Sequence, residues 1–195
     1  MKTLLRTAIT LCLVIGTASA QAAEQNFDFD ASHSTVMFRV SHLGMSHVFG
    51  RFQSVSGSVS MDPDNIAGAA INASIDASSV DTNFEKRDQH LKSPDFFNAG
   101  EFGTIEFKST GLDLADGKTG TLTGDLTLLG VTKPVTLSVT VNHSGPHPSP
   151  QAKGAAAVGV SANGKITRSD FGMNGFLPGL GDEVELWIEV EAIAK

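Results

Sequence analysis

Glu183-Val184-Glu185-Leu186-Trp187-Ile188-Glu189-Val190-Glu191-Ala192 alternates an acid or a tryptophan with an apolar residue at every step. Successive side chains of a strand point to opposite faces. Val184, Leu186, Ile188, Val190 and Ala192 therefore share one face of a β-strand, and the four glutamates share the other with Trp187. The apolar face must be buried and the acidic one meets water. The same period of two sets Ser34, Val36, Phe38, Val40 and His42 against Thr35, Met37, Arg39 and Ser41. It sets Val135, Leu137, Val139 and Val141 against Thr136, Ser138 and Thr140.

Working outward from these stretches, strands are expected at about 27–42, 50–61, 67–77, 103–114, 119–128, 134–142, 154–168 and 183–194. Asp116-Gly117 separates two of them by a short loop and predicts an antiparallel hairpin. Asn163-Gly164 is read as a bulge inside one long strand, because the pattern continues into Lys165-Ile166-Thr167. One segment has helical character, TNFEKRDQHLKSPDFFN at 82–98. Thr82 would cap its first turn, and Ser93 with Pro94 would start a second. NHSGPHPSPQAKG, 142–154, is expected as an exposed loop. Eight strands that each bury one face are satisfied by curling into an extended eight-stranded antiparallel barrel, which also removes exposed edges. The fold class is all-β, in a single domain over 21–195, with the short helical segment lying across one end. In the seventh strand, Gly154–Ala162 is nearly all small residues. Such a wall either leaves an apolar cavity or packs tightly against its neighbours, and residue size does not decide between them.

The chain has 195 residues, 41% hydrophobic and 18% charged, which argues against disorder. Fourteen basic residues against 21 acidic ones give a formal charge of -7, which disfavours a nonspecific nucleic-acid binder. At the start, Lys2 and Arg6 precede an apolar stretch from Ala8 to Ile15 and the small residues Ala18-Ser19-Ala20. This pattern predicts a signal peptide over 1–20 cleaved after Ala20, and hence a periplasmic protein. The apolar stretch falls short of the ~20 residues that span a bilayer. Cleavage removes Lys2 and Arg6 and no acid, so the net charge becomes -9. It also removes Cys12, the one cysteine of the chain. Disulfides, thiolate nucleophiles and cysteine-ligated metals are thereby excluded from the exported form.

The G-x-S-x-G, H-E-x-x-H and P-loop signatures are absent, and neither a catalytic site nor a cofactor is expected. The histidines are His33, His42, His47, His90, His143 and His147. No set of them has the spacing of a metal site. His42 ends the inward face of the first strand, where it would be a polar group at a cavity mouth or would bond a turn. Arg87 with Asp88, and Arg168 with Asp170, are expected to fix loops as charged pairs more than to touch a ligand. Phe96, Phe97, Phe102, Phe107 and Phe171 are expected in the core.

Six ordered blocks carry a further signal: DASHSTVMFRVSHLGMSHVFGRF, RDQHLKSPDFF, FGTIEFKST, GDLTLLGVTKPVTL, ITRSDFGM and GDEVELWIEVEA. Together they resemble the YceI-like family of bacterial exported proteins from about Phe27 to Ala192. The resemblance implies a lipocalin-like barrel whose long apolar tunnel binds a polyisoprenoid or related amphiphile, such as a prenyl-chain quinone precursor. This sequence departs from the family pattern in a longer, Pro-richer loop at 142–154. It also has Phe102-Gly103 where an aromatic followed by Pro is common.

Three functions follow as expectations. In a lipid carrier, Val36, Phe38, Val40, Val135, Leu137, Val139, Leu186 and Ile188 line the tunnel, with His42, Arg87 and His90 near the head group. The partner is then an isoprenoid or other long-chain amphiphilic lipid: a prenyl quinone precursor, a prenyl phosphate or a fatty amide. A homodimer paired at the tunnel mouth is one way to shield a long tail, although nothing in the sequence requires it. An enzyme acting on such lipids would use His42 or His90 with Asp88 as acid–base partners, and no spacing demands it. An interaction module would present Glu183, Glu185, Glu189 and Glu191 to a basic partner.

Overall fold

The computed structural model describes residues 24–62 and 65–195. The expected signal peptide and its cleavage point at Ala20 lie outside the described residues. The elements in chain order are β1 (Gln25–Phe29), β2 (Thr35–His42), β3 (Ser46–Phe52), β4 (Val55–Asp62), β5 (Asn65–Asp76), β6 (Val80–Asp81), α1 (Glu85–Leu91), β7 (Thr104–Leu114), β8 (Thr119–Leu128), β9 (Val131–Pro146), β10 (Ala156–Thr167) and β11 (Leu180–Ala194). All pairings are antiparallel, in the order β1-β4-β5-β7-β8-β9-β10-β11-β2-β3-β6, and a further β1–β11 pairing closes the ring. The barrel thus has eight staves. Three of them are bent strands: β1 runs on into β2, β3 into β4, and β5 into β6.

The first bend divides the segment expected as one strand over 27–42. Its cause is local chemistry. The Asp30 carboxylate accepts bonds from the Ser32 amide (2.8 Å) and hydroxyl (2.6 Å) and meets His33 Nδ1 at 2.9 Å. These bonds fold the backbone into a turn that a continuous ladder cannot contain. They also hold the Asp30 pKa down at about 2, the Ser32 hydroxyl contributing most and His33 next. His33 is raised above its ordinary value, chiefly by the bond to Asp30. A carboxylate with a depressed pKa stabilises the fold above its unfolded value of about 4 and loses that contribution as pH falls. A histidine with a raised pKa stabilises below about 6.5 and loses its contribution as pH rises. Asp30→Asn is therefore expected to lower the thermal midpoint most between about pH 4 and 6.5. Melting curves of both proteins across pH 2–9 check this, and a difference that is flat with pH would contradict it.

The Asp116-Gly117 hairpin joins β7 to β8 as expected, with the Asp116 carboxylate accepting from the amides of Lys118 and Thr119. β10 also passes through Asn163-Gly164 without interruption, but the irregularity falls elsewhere. Asn142 is the extra residue, opposite Gly159/Val160. The expected loop at 142–154 is shorter, because β9 carries its pairing to Pro146 and β10 resumes at Ala156. The helix is shorter too. α1 spans seven residues, its N-cap is Phe84, and Ser93-Pro94 opens hydrogen-bonded turns instead of a second helix. Thr82 does not cap it. Its amide and hydroxyl instead donate to the Asp88 carboxylate.

One end of the interior is solid. Phe27 (1% exposed), Val59, Met61, Ala69, Val158 and Ala192 (0%) fill it. Leu122, Leu137, Val139 and Ala162 form a second packed group beside them. At the other end the backbone ladder has a seam, since β6 is the last strand of the sheet and the β5–β7 ladder stops at Asp76–Thr104. Residues 82–103, which link β6 to β7, bring α1 and the Phe96-Phe97 turn against the core.

Candidate functional site

Between the packed end and the 82–103 segment the barrel encloses a cavity. The centre of a water-sized sphere has about 180 Å³ to move in, where a single water needs about 10–15 Å³. Strand parity places the walls. β2 contributes Val36, Phe38 and Val40, β9 contributes Val135 and Leu137, and β11 contributes Val184, Leu186, Ile188 and Val190. Leu91, Phe96 and Phe97 form the roof. Every lining residue except Arg168 is apolar. Inward-facing Leu186 and Ile188 are only half-buried, because they border this space instead of a packed neighbour.

Seven of the eight tunnel residues expected from parity meet here. Val139 does not: it lies 4% exposed in the packed group with Leu122, Leu137 and Ala162. Parity specifies a face but not a depth along the barrel. The long tunnel is accordingly a cavity that ends on the Phe27 and Val139 groups. The small-residue strand serves both of its expected uses. Val158 packs with Phe27 and Ala192 in the solid end, while Val160 and Ala162 border the cavity.

The expected mouth residues separate. His42 is exposed at the end of β2, where its carbonyl accepts from the Met45 amide across the β2–β3 turn (3.0 Å). His47 lies on the opposite face of that hairpin, since Ser41 pairs with His47 and His42 with Ser46. Arg87 is committed elsewhere, its guanidinium donating to the Thr82 hydroxyl and carbonyl at 2.7 Å each. Arg87 and Asp88 thus brace Thr82, and Arg87 does not border the cavity. Asp88 is likewise no partner for His90. That role falls to Asp95, 2.9 Å from His90 Nε2. The His90 ring stands edge-on to the cavity-lining Phe96 at 5.1 Å and to Phe176 at 5.4 Å. Of the three, His90 is the one in contact with the cavity wall.

Arg168 is the functional-site residue that local reasoning misplaced. It is 2% exposed, and it does not pair with Asp170. Its guanidinium donates to the carbonyls of Gly181, Met173 and Gly175 (2.8 Å each) and Leu180 (3.1 Å). Burial pushes its pKa down, and the nearby Asp182 charge opposes that shift. Asp182 in turn accepts from the Ser169 amide and hydroxyl, which hold its own pKa below the carboxylate range. Arg168 therefore ties the 172–181 loop over the cavity. The signals for this in the sequence were a charge set between Ile166 and Phe171 and the Gly-rich loop that follows it.

The acidic outer face of β11 is largely engaged within the sheet. Glu185 meets Arg39 at 2.8 Å, Glu183 meets Lys165 at 2.7 Å, and Glu189 accepts from Ser161 at 2.6 Å. Asp30, His33 and Glu191 are the one three-residue group of metal-ligating atoms among the described residues, and the turn bonds already account for the closest contact between them. No helix among the described residues is long and apolar enough to cross a membrane.

The model of the YceI-like domain matches residues 27–192. The chain belongs to the YceI-like family. Protein YceI of Escherichia coli O157:H7 is 39% identical over 183 residues, covering 94% of this chain and 93% of that protein. The YceI protein of Campylobacter jejuni, solved by crystallography, is 33% identical with a TM-score of 0.71, over 80% of this chain and 90% of that one. A polyisoprenoid binding domain from Saccharophagus degradans, implicated in plant cell wall breakdown, shares the fold with a TM-score of 0.68 at 18% identity, over 87% of this chain and 98% of that one. The six YceI-like blocks noted in the sequence lie on β2–β3, the 82–103 segment, β7, β8–β9, the Arg168 turn and β11.

Proposed function

We propose that this YceI-like protein is a periplasmic carrier that holds a polyisoprenoid or related long-chain amphiphile by its tail. The observation that carries the reading is a closed barrel whose cavity is walled by aliphatic and phenyl side chains. A prenyl quinone precursor, a prenyl phosphate and a fatty amide share the apolar chain that such a wall accepts. At roughly 0.8 kcal/mol per buried CH₂, a few isoprene units suffice for micromolar affinity after ordering costs of several kcal/mol. Tail binding of this kind discriminates little, so selectivity falls to polar groups beside the roof, with His90 and His42 the candidates. Binding rather than catalysis fits the site, because the cavity wall presents no acid–base pair: Asp88 holds Thr82, and the His90–Asp95 pair is exposed.

The test is purification of the exported protein without detergent, followed by solvent extraction and mass spectrometry against a denatured blank. A stoichiometric prenyl or acyl species is expected. A protein that is empty and takes up no prenyl lipid would overturn the carrier reading.

A further inference from the structure

We propose that the cavity end of the barrel docks on a lipid bilayer surface, inserting the tips of the β2–β3 turn and of the 171–179 loop. This rests on the carrier reading and adds the partner from which cargo enters. Seven large hydrophobic side chains are exposed among the described residues, and six of them, all but Met37, lie at this end. Leu43 (60%), Met45 (84%) and Phe176 (60%) stand at the tips, with Leu177, Phe49 and Phe84 beside them. The two tips form one unit, since the Leu43 amide donates to the Gly179 carbonyl at 2.7 Å.

The backbone supplies an independent observation. Leu43 and Phe176 have φ of +54° and +62°, a conformation that costs a bulky residue about 1–2 kcal/mol and suits Gly or Asn. Both side chains are 60% exposed there, although Phe176 covers one ring face on Phe96, so most of their apolar surface gains nothing from burial within the chain. Their side chains are accounted for by an apolar phase outside it.

Charge and shape select the bilayer over a second copy of the chain. Although the chain is acidic, Ser41–Phe49 carries two histidines and no acid, and Phe171–Gly179 carries no ionisable side chain. Glu85, Asp88, Asp95 and Glu101 at this end belong to the 82–103 segment and not to the two tips, and the opposite end carries Asp62, Asp116, Lys118 and Lys153. The apolar groups sit on protruding tips, which enter the headgroup region to a depth of about 5–10 Å more readily than they form a flat protein interface of about 800 Å² per partner. The apolar surface is also continuous inward: Phe176 stacks on Phe96 with ring centroids 5.7 Å apart, and Phe96 lines the cavity. A tail crossing water alone would forfeit the whole burial gain, whereas a mouth seated in the headgroups lets it pass between two apolar phases.

The experiment uses the mature chain and a double variant, Leu43→Asn and Met45→Asn, which leaves the Phe176–Phe96 stack in place. Asn tolerates positive φ, so thermal stability is expected to be unchanged or raised. Flotation with vesicles of phosphatidylethanolamine and phosphatidylglycerol is expected to carry the wild type and about ten-fold less of the variant. Farnesol diluted from ethanol is expected to load both proteins equally, while transfer of farnesol from vesicles is about ten-fold slower for the variant. A wild type that loads from ethanol but does not float overturns the docking proposal and leaves the carrier reading intact. A wild type that floats but loads from neither source overturns the carrier reading alone. A variant that merely turns a dimer into a monomer assigns the patch to a second copy and overturns the docking proposal.

Discussion

Arg168→Met is expected to lower the unfolding free energy by about 3–5 kcal/mol, measured as a shift of the urea midpoint at constant slope. The methionine keeps the apolar stem and deletes the guanidinium that holds four carbonyls of the 172–181 loop. The carbonyl of Met173 is buried and those of Gly175, Leu180 and Gly181 are part-buried, and each buried group left unsatisfied costs about 1–3 kcal/mol. Arg168→Lys is expected to recover less than half of the loss. A single ammonium cannot span carbonyls arranged for a planar fork. Because the loop roofs the cavity through Met173 and Leu180, the Met variant is also expected to release bound lipid faster. A Met variant as stable as the wild type would show that the loop closes without its arginine.

Phe38→Asp is expected to abolish lipid retention, with bound lipid after detergent-free purification falling by about a hundred-fold or more. Phe38 is 7% exposed, borders the cavity, and packs its ring on Phe52 with centroids 5.8 Å apart. The carboxylate that replaces it faces apolar walls whose one cation, Arg168, is committed to four backbone carbonyls, so the protein must hold it neutral, admit water or pull Arg168 from the loop. Each outcome removes the dry surface that a tail requires. Phe38→Leu is the control: it keeps the wall apolar and is expected to retain lipid. A folded Asp variant that still carries stoichiometric lipid would remove Phe38 from the binding surface.

Both variants probe the same cavity, yet only one of the two positions was legible in advance. Phe38 follows from a period of two, because parity along β2 and β11 depends only on neighbouring residues and on which face is apolar. Val139 shares that parity with Leu137 and still does not line the cavity, since it is covered by the group it forms with Leu122, Leu137 and Ala162 from neighbouring strands. Arg168 was assigned to Asp170, two positions away, whereas its partners are carbonyls of a loop that closes only when β10 and β11 have paired. Thr82 drew attention as a cap because caps are local. In the fold it is the point where Arg87 and Asp88 converge, which takes Arg87 out of the expected head-group set and Asp88 out of the expected acid–base pair. The bend at Asp30 was present in the sequence as Asp-Ala-Ser-His, a run with its own turn chemistry, but the apolar alternation around it concealed the interruption.

The seam between β6 and β7 has a mechanical consequence. Elsewhere around the barrel, admitting a wider cargo means breaking several backbone hydrogen bonds together. Across the seam the wall is α1 and the Phe96-Phe97 turn, packed on the core through Leu91, Phe96 and Phe97, so displacing it breaks no strand ladder. The circumference of this vessel is therefore fixed at its floor and adjustable at its rim. On the carrier reading, chains of different girth or branching are expected to fit one sequence, with the strain confined to a segment that carries no barrel strand.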